Sequence, residues 1–284
     1  MSIPVAYNDI GKSSKDLLTK DFAIGGVKLE VKSTTSNGIT FKVNSHRDNK
    51  TGIIVGDIES KYTDKARGIS FTEAWTTSNH LNGRLELENN LAKGLKLELI
   101  GSYVPSIHHK SARLNAVYKQ PHMNTTGSLD MFSHNVNVNT TIGANGYVAG
   151  GEIAYGLKNA KIQRYSAAIG YSTFNYAVAL QATNNCNDYA ASYYHRISSE
   201  LEASGKATWR NKDGMNAVAL EVGFKRQLDP TASIKGKITN TGLVSASYTQ
   251  LIRQGVKVNV GAFVDSTRLD QNVHKLGLAL TFEK

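Results

Sequence analysis

The sequence predicts an all-β fold, a transmembrane antiparallel β-barrel, on three observations. From about Gly26 to the end, apolar and polar residues alternate with period two. Turn-forming pairs interrupt that alternation and divide the chain into about eighteen or nineteen strand-like segments, each near the ~9 to 11 residues that a tilted strand needs to cross a bilayer. No apolar run approaches the ~18 to 20 residues of a membrane-crossing helix; stretches such as Ala177-Val178-Ala179-Leu180 are the longest. A chain that spans a membrane without such helices must close its sheet, because only closure satisfies every backbone N–H and C=O.

The first twenty-one residues stand apart. Tyr7, Ile10, Ser14, Leu17 and Leu18 recur near helical spacing with Lys12, Lys15, Asp16 and Lys20 between them, so a short amphipathic helix is expected over 1–21, with Leu17 and Leu18 as its anchor. The segment lacks the apolar core and small-residue cleavage site of a secretory signal, and Asp9 and Asp16 are foreign to a matrix presequence.

The alternation begins with Val27, Leu29 and Val31 against Lys28, Glu30 and Lys32; Asn37-Gly38 turns the chain, and Ile39, Phe41 and Val43 alternate with Thr40, Lys42 and Asn44. The same grammar returns in Leu85 and Leu87, in Leu95, Leu97 and Leu99, in Val218 to Phe224, in Val256, Val258 and Val260, and in Leu276 to Phe282. Lys93-Gly94, Asn145-Gly146, Asp213-Gly214, Asp229-Pro230, Asn240-Thr241-Gly242 and Gln254-Gly255 mark turns. No composition break divides the chain, so residues 1–284 read as one domain, a helical segment at 1–21 and a hairpin meander over 26–284.

Alternation is common to soluble and membrane barrels, and size separates them. A soluble barrel of this many strands would have to fill its interior with bulky side chains, yet the chain has only 8 Phe and 2 Trp, and its second strand face is rich in Lys, Glu, Asn, Thr and Ser. A wide polar lumen inside an aliphatic belt fits better, with Trp75, Tyr103, Tyr171 and Tyr248 near strand ends as interfacial aromatics.

Glu73 breaks the pattern, because it shares a strand face with Ile69, Phe71 and Trp75 and so points toward lipid. An ionisable group there marks a function, unless it sits at a strand end or bulge and reaches the headgroups.

Charge points to an anionic partner: 33 Lys plus Arg exceed 23 Asp plus Glu, a formal net charge of +10. The basic residues are dispersed and no nucleic-acid recognition motif accompanies them. Lys12, Lys15 and Lys20, with Lys28, Lys32, Lys61, Lys96, Lys119, Arg164, Lys225, Lys235, Lys237 and Lys257, are the candidate basic lining. A single cysteine, Cys186, excludes an intramolecular disulfide and has no activating neighbours in the sequence. An enzymatic barrel would need a constellation that the histidines do not form. His108 and His109 are expected on opposite faces of a strand, and no carboxylate stands at a ligand interval from them.

A family pattern runs through Pro4, Tyr7, Asp9, Gly11-Lys12-Ser13 and Asp16-Leu17-Leu18-Thr19-Lys20, then Phe71-Thr72-Glu73-Ala74-Trp75 and Leu91-Ala92-Lys93-Gly94-Leu95-Lys96. It continues through Ala207-Thr208-Trp209, Asp229-Pro230, Leu269-Asp270 and His274-Lys275-Leu276-Gly277-Leu278. On these residues the whole chain resembles the eukaryotic mitochondrial porins, the voltage-dependent anion channels, in a fungal form.

The resemblance implies a barrel of nineteen strands whose first and last pair in parallel, with the N-terminal helix inside the pore. It implies a voltage-gated, weakly anion-selective channel of the mitochondrial outer membrane that passes ATP, ADP, phosphate and chloride without cofactor, metal or catalysis. Lys12, Asp16 and Lys20 become pore-constriction residues, and Lys96 a nucleotide-proximal one, although Gly94-Leu95-Lys96 reads first as a hairpin turn. Lys275, Gly277, Leu278, Leu280 and Phe282 match the family's insertion signal, which implies the outer-membrane import and sorting machinery as partners. For Glu73 the resemblance implies contact with lipids, a second copy of the chain or a kinase. A barrel of the same fold that imports proteins is the competing reading; the basic lining and the surroundings of Lys96 and Glu73 favour metabolites.

Overall fold

A computed structural model describes residues 3–212 and 215–284, and so the expected turn at Asp213-Gly214 lies outside the described residues. Nineteen strands form a single closed sheet. The first eight are β1 (Gly26–Thr34), β2 (Ile39–Asp48), β3 (Ile54–Asp64), β4 (Ile69–Thr76), β5 (Leu81–Glu88), β6 (Leu95–Val104), β7 (His109–Gln120) and β8 (Met123–Asp130). They are followed by β9 (Asn135–Ala144), β10 (Tyr147–Gly156), β11 (Lys161–Ser172), β12 (Tyr176–Thr183), β13 (Asp188–Arg196) and β14 (Leu201–Lys212). The circuit ends with β15 (Met215–Asp229), β16 (Ala232–Thr239), β17 (Leu243–Arg253), β18 (Val256–Asp265) and β19 (Lys275–Glu283).

Each strand pairs antiparallel with its sequence neighbour, and β1 closes the circle on β19 in parallel, with Val27 opposite Leu278, Leu29 opposite Leu280 and Val31 opposite Phe282. Strands of 8 to 12 residues dominate. At about 3.3 Å per residue and a tilt near 45° such strands rise about 19 to 28 Å, which brackets the ~25 Å apolar band of a barrel of this kind.

Side chains that touch the N-terminal segment identify the inner face, and the strand register carries that assignment round the barrel. Asn259 on β18 bonds Asp21 inside; across the seam its parity runs to Ala279, Lys28 and His46. The opposite parity holds Val27, Leu29, Phe41, Val43, Ile58, Leu85, Leu99, Ile169, Val222 and Val260, all exposed. Period-two alternation is thus two-faced in the expected sense, with mostly polar side chains inside and aliphatic groups outside.

Trp75, Tyr103 and Tyr171 are each the next-to-last residue of their strand, at the rims of the apolar belt. Tyr248 was expected near a strand end and instead lies in the middle of β17. At one rim Tyr147, Tyr171 and Tyr176 cluster, with ring centroids 4.3 and 5.9 Å apart; at the other, Tyr189 stacks on Trp209 at 5.3 Å. A second expectation also fails. His108 is not on a strand: it sits in a left-handed turn, φ 50°, after the short 3-10 turn Pro105–Ile107, and only His109 enters β7.

Candidate functional site

The site is the lumen, narrowed by the N-terminal segment that lies along its wall. Helical structure is shorter than the expected 1–21: a 3-10 turn at Tyr7–Asp9, then α1 (Lys12–Thr19). The break is Gly11, in the left-handed conformation at φ 76°. A Cβ there would stand 3.2 Å from Ala179 Cβ and from Ser192 Oγ, so glycine serves both the backbone conformation and the close approach to the wall.

Wall contacts hold the segment along its whole length, as an isolated eight-residue helix requires. Asn124 Nδ2 donates to the Pro4 carbonyl and Thr141 Oγ1 to that of Val5, at 3.3 and 2.8 Å. Tyr7 and Ile10 pack on Ala168 and Ala179 beside Val148, the main buried apolar cluster. Gln181 Nε2 donates to the Ile10 carbonyl at 2.8 Å. On α1 itself, Ser14 and Ser204 hydroxyls meet at 2.6 Å, and Leu18, 0% exposed, fills the hollow over Gly223, where a Cβ would come within 2.8 Å of its Cδ2. Burying a leucine is worth about 1.5–3 kcal/mol. The expected anchor role of Leu17 and Leu18 is therefore met, with both buried against the inner wall.

After α1 the chain is clamped. Asp21, at φ 60°, takes Lys235 at 3.3 Å and Lys257 at 3.2 Å, while its carbonyl accepts from Ser247 and Asn259. Asn259 also accepts from the Ala23 amide. The linker then passes over Gly261 and Gly277, whose missing side chains leave room for the Ala23 backbone. Asp21 went unnoticed in the sequence. Its one local signal, the tolerance of Asp for positive φ, says nothing about the two lysines more than two hundred residues away.

The predicted lining residues are inside, and their charges differ in kind. Lys12 pairs with Asp9 at 2.9 Å, Lys20 with Asp16 at 2.6 Å, Lys96 with Glu86 at 3.2 Å, and Lys32 with Glu283 across the β1–β19 seam. Among the described residues, Lys15 and Lys119 have no carboxylate partner; nor do Lys28 and Lys206, which also face the lumen. Several carboxylates serve two cations each: Glu86 for Lys61 and Lys96, Asp21 for Lys235 and Lys257, and Glu202 for Arg196 and Lys225. Each triad leaves one positive charge over. Arg164 spends its charge on Glu152 at 2.9 Å, and Lys237 lies over the Phe22 ring at 5.2 Å.

Gly94, at φ 83°, caps the β5–β6 turn, so Gly94-Leu95-Lys96 is a hairpin turn leading into a lumenal lysine. Glu73 lies within β4, opposite Ser60 and Gly83 with no bulge on either side, and its exposed side chain is on the outer face of the barrel beside Phe71 and Trp75. The alternative of a strand-end or bulged glutamate is thereby set aside. Of the expected insertion signal, Leu278, Leu280 and Phe282 face outward on β19, Lys275 faces inward, and Gly277 lies under the linker.

A sequence model of the eukaryotic porin family matches residues 3–277. The chain is 40% identical over 285 residues to the mitochondrial outer membrane protein porin of Neurospora crassa, covering 100% of both, and 38% identical to that of Candida albicans, covering 98% of this chain and 99% of the other. It is 32% identical to the non-selective voltage-gated ion channel VDAC2 of Bos taurus over 100% of this chain and 96% of that one. A solved mutant of the Rh. blastica porin shares the barrel fold at a TM-score of 0.51 and 8% identity, covering 86% of this chain and 97% of that one.

Proposed function

The chain belongs to the eukaryotic porin family, and from that premise we propose a voltage-gated, weakly anion-selective channel of the mitochondrial outer membrane through which ATP, ADP, phosphate and other small ions diffuse. The observation that carries the selectivity is the surplus of lumenal cations over carboxylates: triads built on Glu86, Asp21 and Glu202, and lysines without partners at positions 15, 28, 119 and 206. No step of the transport is covalent. Fixed cations raise the local anion concentration, and the N-terminal segment sets the width of the path.

Lys12, Lys15, Asp16 and Lys20 act at the narrowing, with Lys32, Lys96 and Lys119 farther along the wall. Because Lys12 and Lys20 are already neutralised by Asp9 and Asp16, the anion preference rests more on Lys15, Lys28, Lys119 and Lys206 than on those two. Partners follow from the faces: anionic metabolites within, membrane lipids on the belt, the sorting machinery at β19, and a second copy of the chain or lipid at the Glu73 face.

Reconstitution into a planar bilayer tests the proposal through conductance against voltage and the reversal potential in a KCl gradient. Wide openings that prefer chloride and close at both polarities are expected, and Lys28→Glu with Lys119→Glu moves the reversal potential toward cation preference. A wild-type pore that prefers cations, or double-variant selectivity equal to wild type, refutes the assignment of the lining.

A further inference from the structure

Between the underside of α1 and the inner wall lies a polar pocket of about 270 Å³. Lys15 reaches it from the helix and Lys206 from β14, and Gln181, Thr183 and Ser192 form its wall side. Among the described residues, the side chains of Lys15, Lys206, Thr183 and Asn8, which also lines it, have no hydrogen-bond or ion-pair partner. Two carboxylates are near: Glu152 itself lines the pocket, and Glu221 stands opposite Lys206 on the neighbouring strand. Glu152 is held by Arg164 at 2.9 Å, and Glu221, cross-strand from Lys206, does not approach within ion-pair distance.

Two lysines line one small cavity, and their like charges favour a counter-ion between them. Hydroxyl and amide donors beside them suit an acceptor with several oxygens, and charge-assisted hydrogen bonds to such oxygens are the strong kind. The first turn of α1 has no side-chain cap and borders the pocket at Gly11 and Ser14, adding its partial positive charge. The volume lies below the ~300 Å³ at which pockets begin to hold drug-sized ligands. It suits a single tetrahedral group.

We infer that this pocket binds a phosphoryl dianion, which bridges Lys15 to Lys206, ties α1 to the wall and so opposes voltage closure. The regulatory part rests on the channel reading; the binding part does not. Chloride, with one charge and no divergent acceptors, is a poor bridge.

Two measurements separate these parts. The first is 31P line broadening of inorganic phosphate on the detergent-solubilised full chain, which needs no conduction: broadening in wild type and its loss in Lys206→Gln are expected, and equal broadening in both overturns the site. Lys15→Gln, which changes an exposed side chain of α1, repeats the test with the wall intact.

The second is the closed-to-open ratio at fixed voltage, chloride and ionic strength, in which millimolar inorganic phosphate lowers the ratio about tenfold in wild type and by under about twofold in Lys206→Gln. A gated pore whose ratio ignores phosphate, or responds equally in both proteins, overturns the latch. A wild-type chain that broadens the phosphate line but forms no pore refutes the channel reading and, with it, the latch, while upholding the site. Magnesium-free ATP in place of phosphate distinguishes the source. A Lys206-dependent effect of ATP assigns the group to a nucleotide's terminal phosphoryl as well, and an effect of phosphate alone assigns it to the free ion.

Discussion

Glu73 stands one pleat, about 7 Å along the strand, inward of the rim tryptophan Trp75, with the hydrogen of Gly83 on one side and Ser60 on the other. Small neighbours leave its carboxylate in a shallow outward hollow that also contains Phe71, Tyr103 and Lys110. A charged carboxylate on the lipid face costs less than the ~2–4 kcal/mol of Arg or Lys at midplane, yet it remains a net cost. Glu73→Gln is therefore expected to raise stability in vesicles by on the order of 1 kcal/mol, measured by denaturant unfolding, and to leave conductance and reversal potential unchanged. A shifted reversal potential would place the group in the ion path and contradict its outward face. The direction of Glu73 was readable from parity alone, because Ile69, Phe71 and Trp75 share its side of the strand. Whether a lysine such as Lys96 is paired was not: Glu86 lies on the adjacent strand, and only the register brings Lys61 to the same carboxylate.

The linker between α1 and β1 is where the N-terminal element is most firmly held. Burial pushes the Asp21 carboxyl up, but the ammonium groups of Lys257 and Lys235 outweigh it and hold the carboxyl below its usual range. Since the native value is depressed, the clamp is at full strength above the ordinary carboxylate pKa of about 3.9 and is lost as pH falls through the lowered value. Voltage closure of wild type should thus keep its rate from neutrality down to about pH 4 and quicken only in stronger acid, while Asp21→Asn closes faster at neutral pH and lacks that acid step. An acid step of the same size in Asp21→Asn would transfer the effect to another carboxylate. The helix was legible from the spacing of Ile10, Ser14 and Leu18, but its length was not. Gly11 interrupts it in a left-handed conformation close against Ala179 and Ser192, a contact that no local pattern announces. Strands were legible nearly throughout, because each has one apolar and one polar face, whereas His108 was misplaced by a turn built on Pro105.

Seen as a molecule, the barrel holds its cations inside a low-dielectric wall, where their field reaches a passing ion only over the screening length. That length is about 10 Å at 0.1 M salt and about 3 Å at 1 M. Anion preference, read as the reversal potential under a fixed concentration ratio, should therefore weaken as mean salt rises from about 0.1 M to about 1 M. Selectivity that ignores salt would point to size exclusion in place of fixed charge. The number of strands was approached from the turn spacing but left between eighteen and nineteen; the odd count and the parallel closure came from family likeness, since a pairing between the two ends of the chain leaves no local trace.

That seam, where Lys32 meets Glu283 and the Thr34 amide donates to the Lys284 carbonyl, has a kinetic consequence. Every other pairing joins neighbours in sequence and forms a hairpin with a short loop to close, but this one must bring together residues 26–34 and 275–283 across nearly the whole chain. Contacts of such separation form slowly, and until then both strands are open edges able to recruit any other strand. Folding of this protein is accordingly expected to be zipper-like around the circumference and limited by its last stitch, with β1 and β19 the pair that needs protection while it waits.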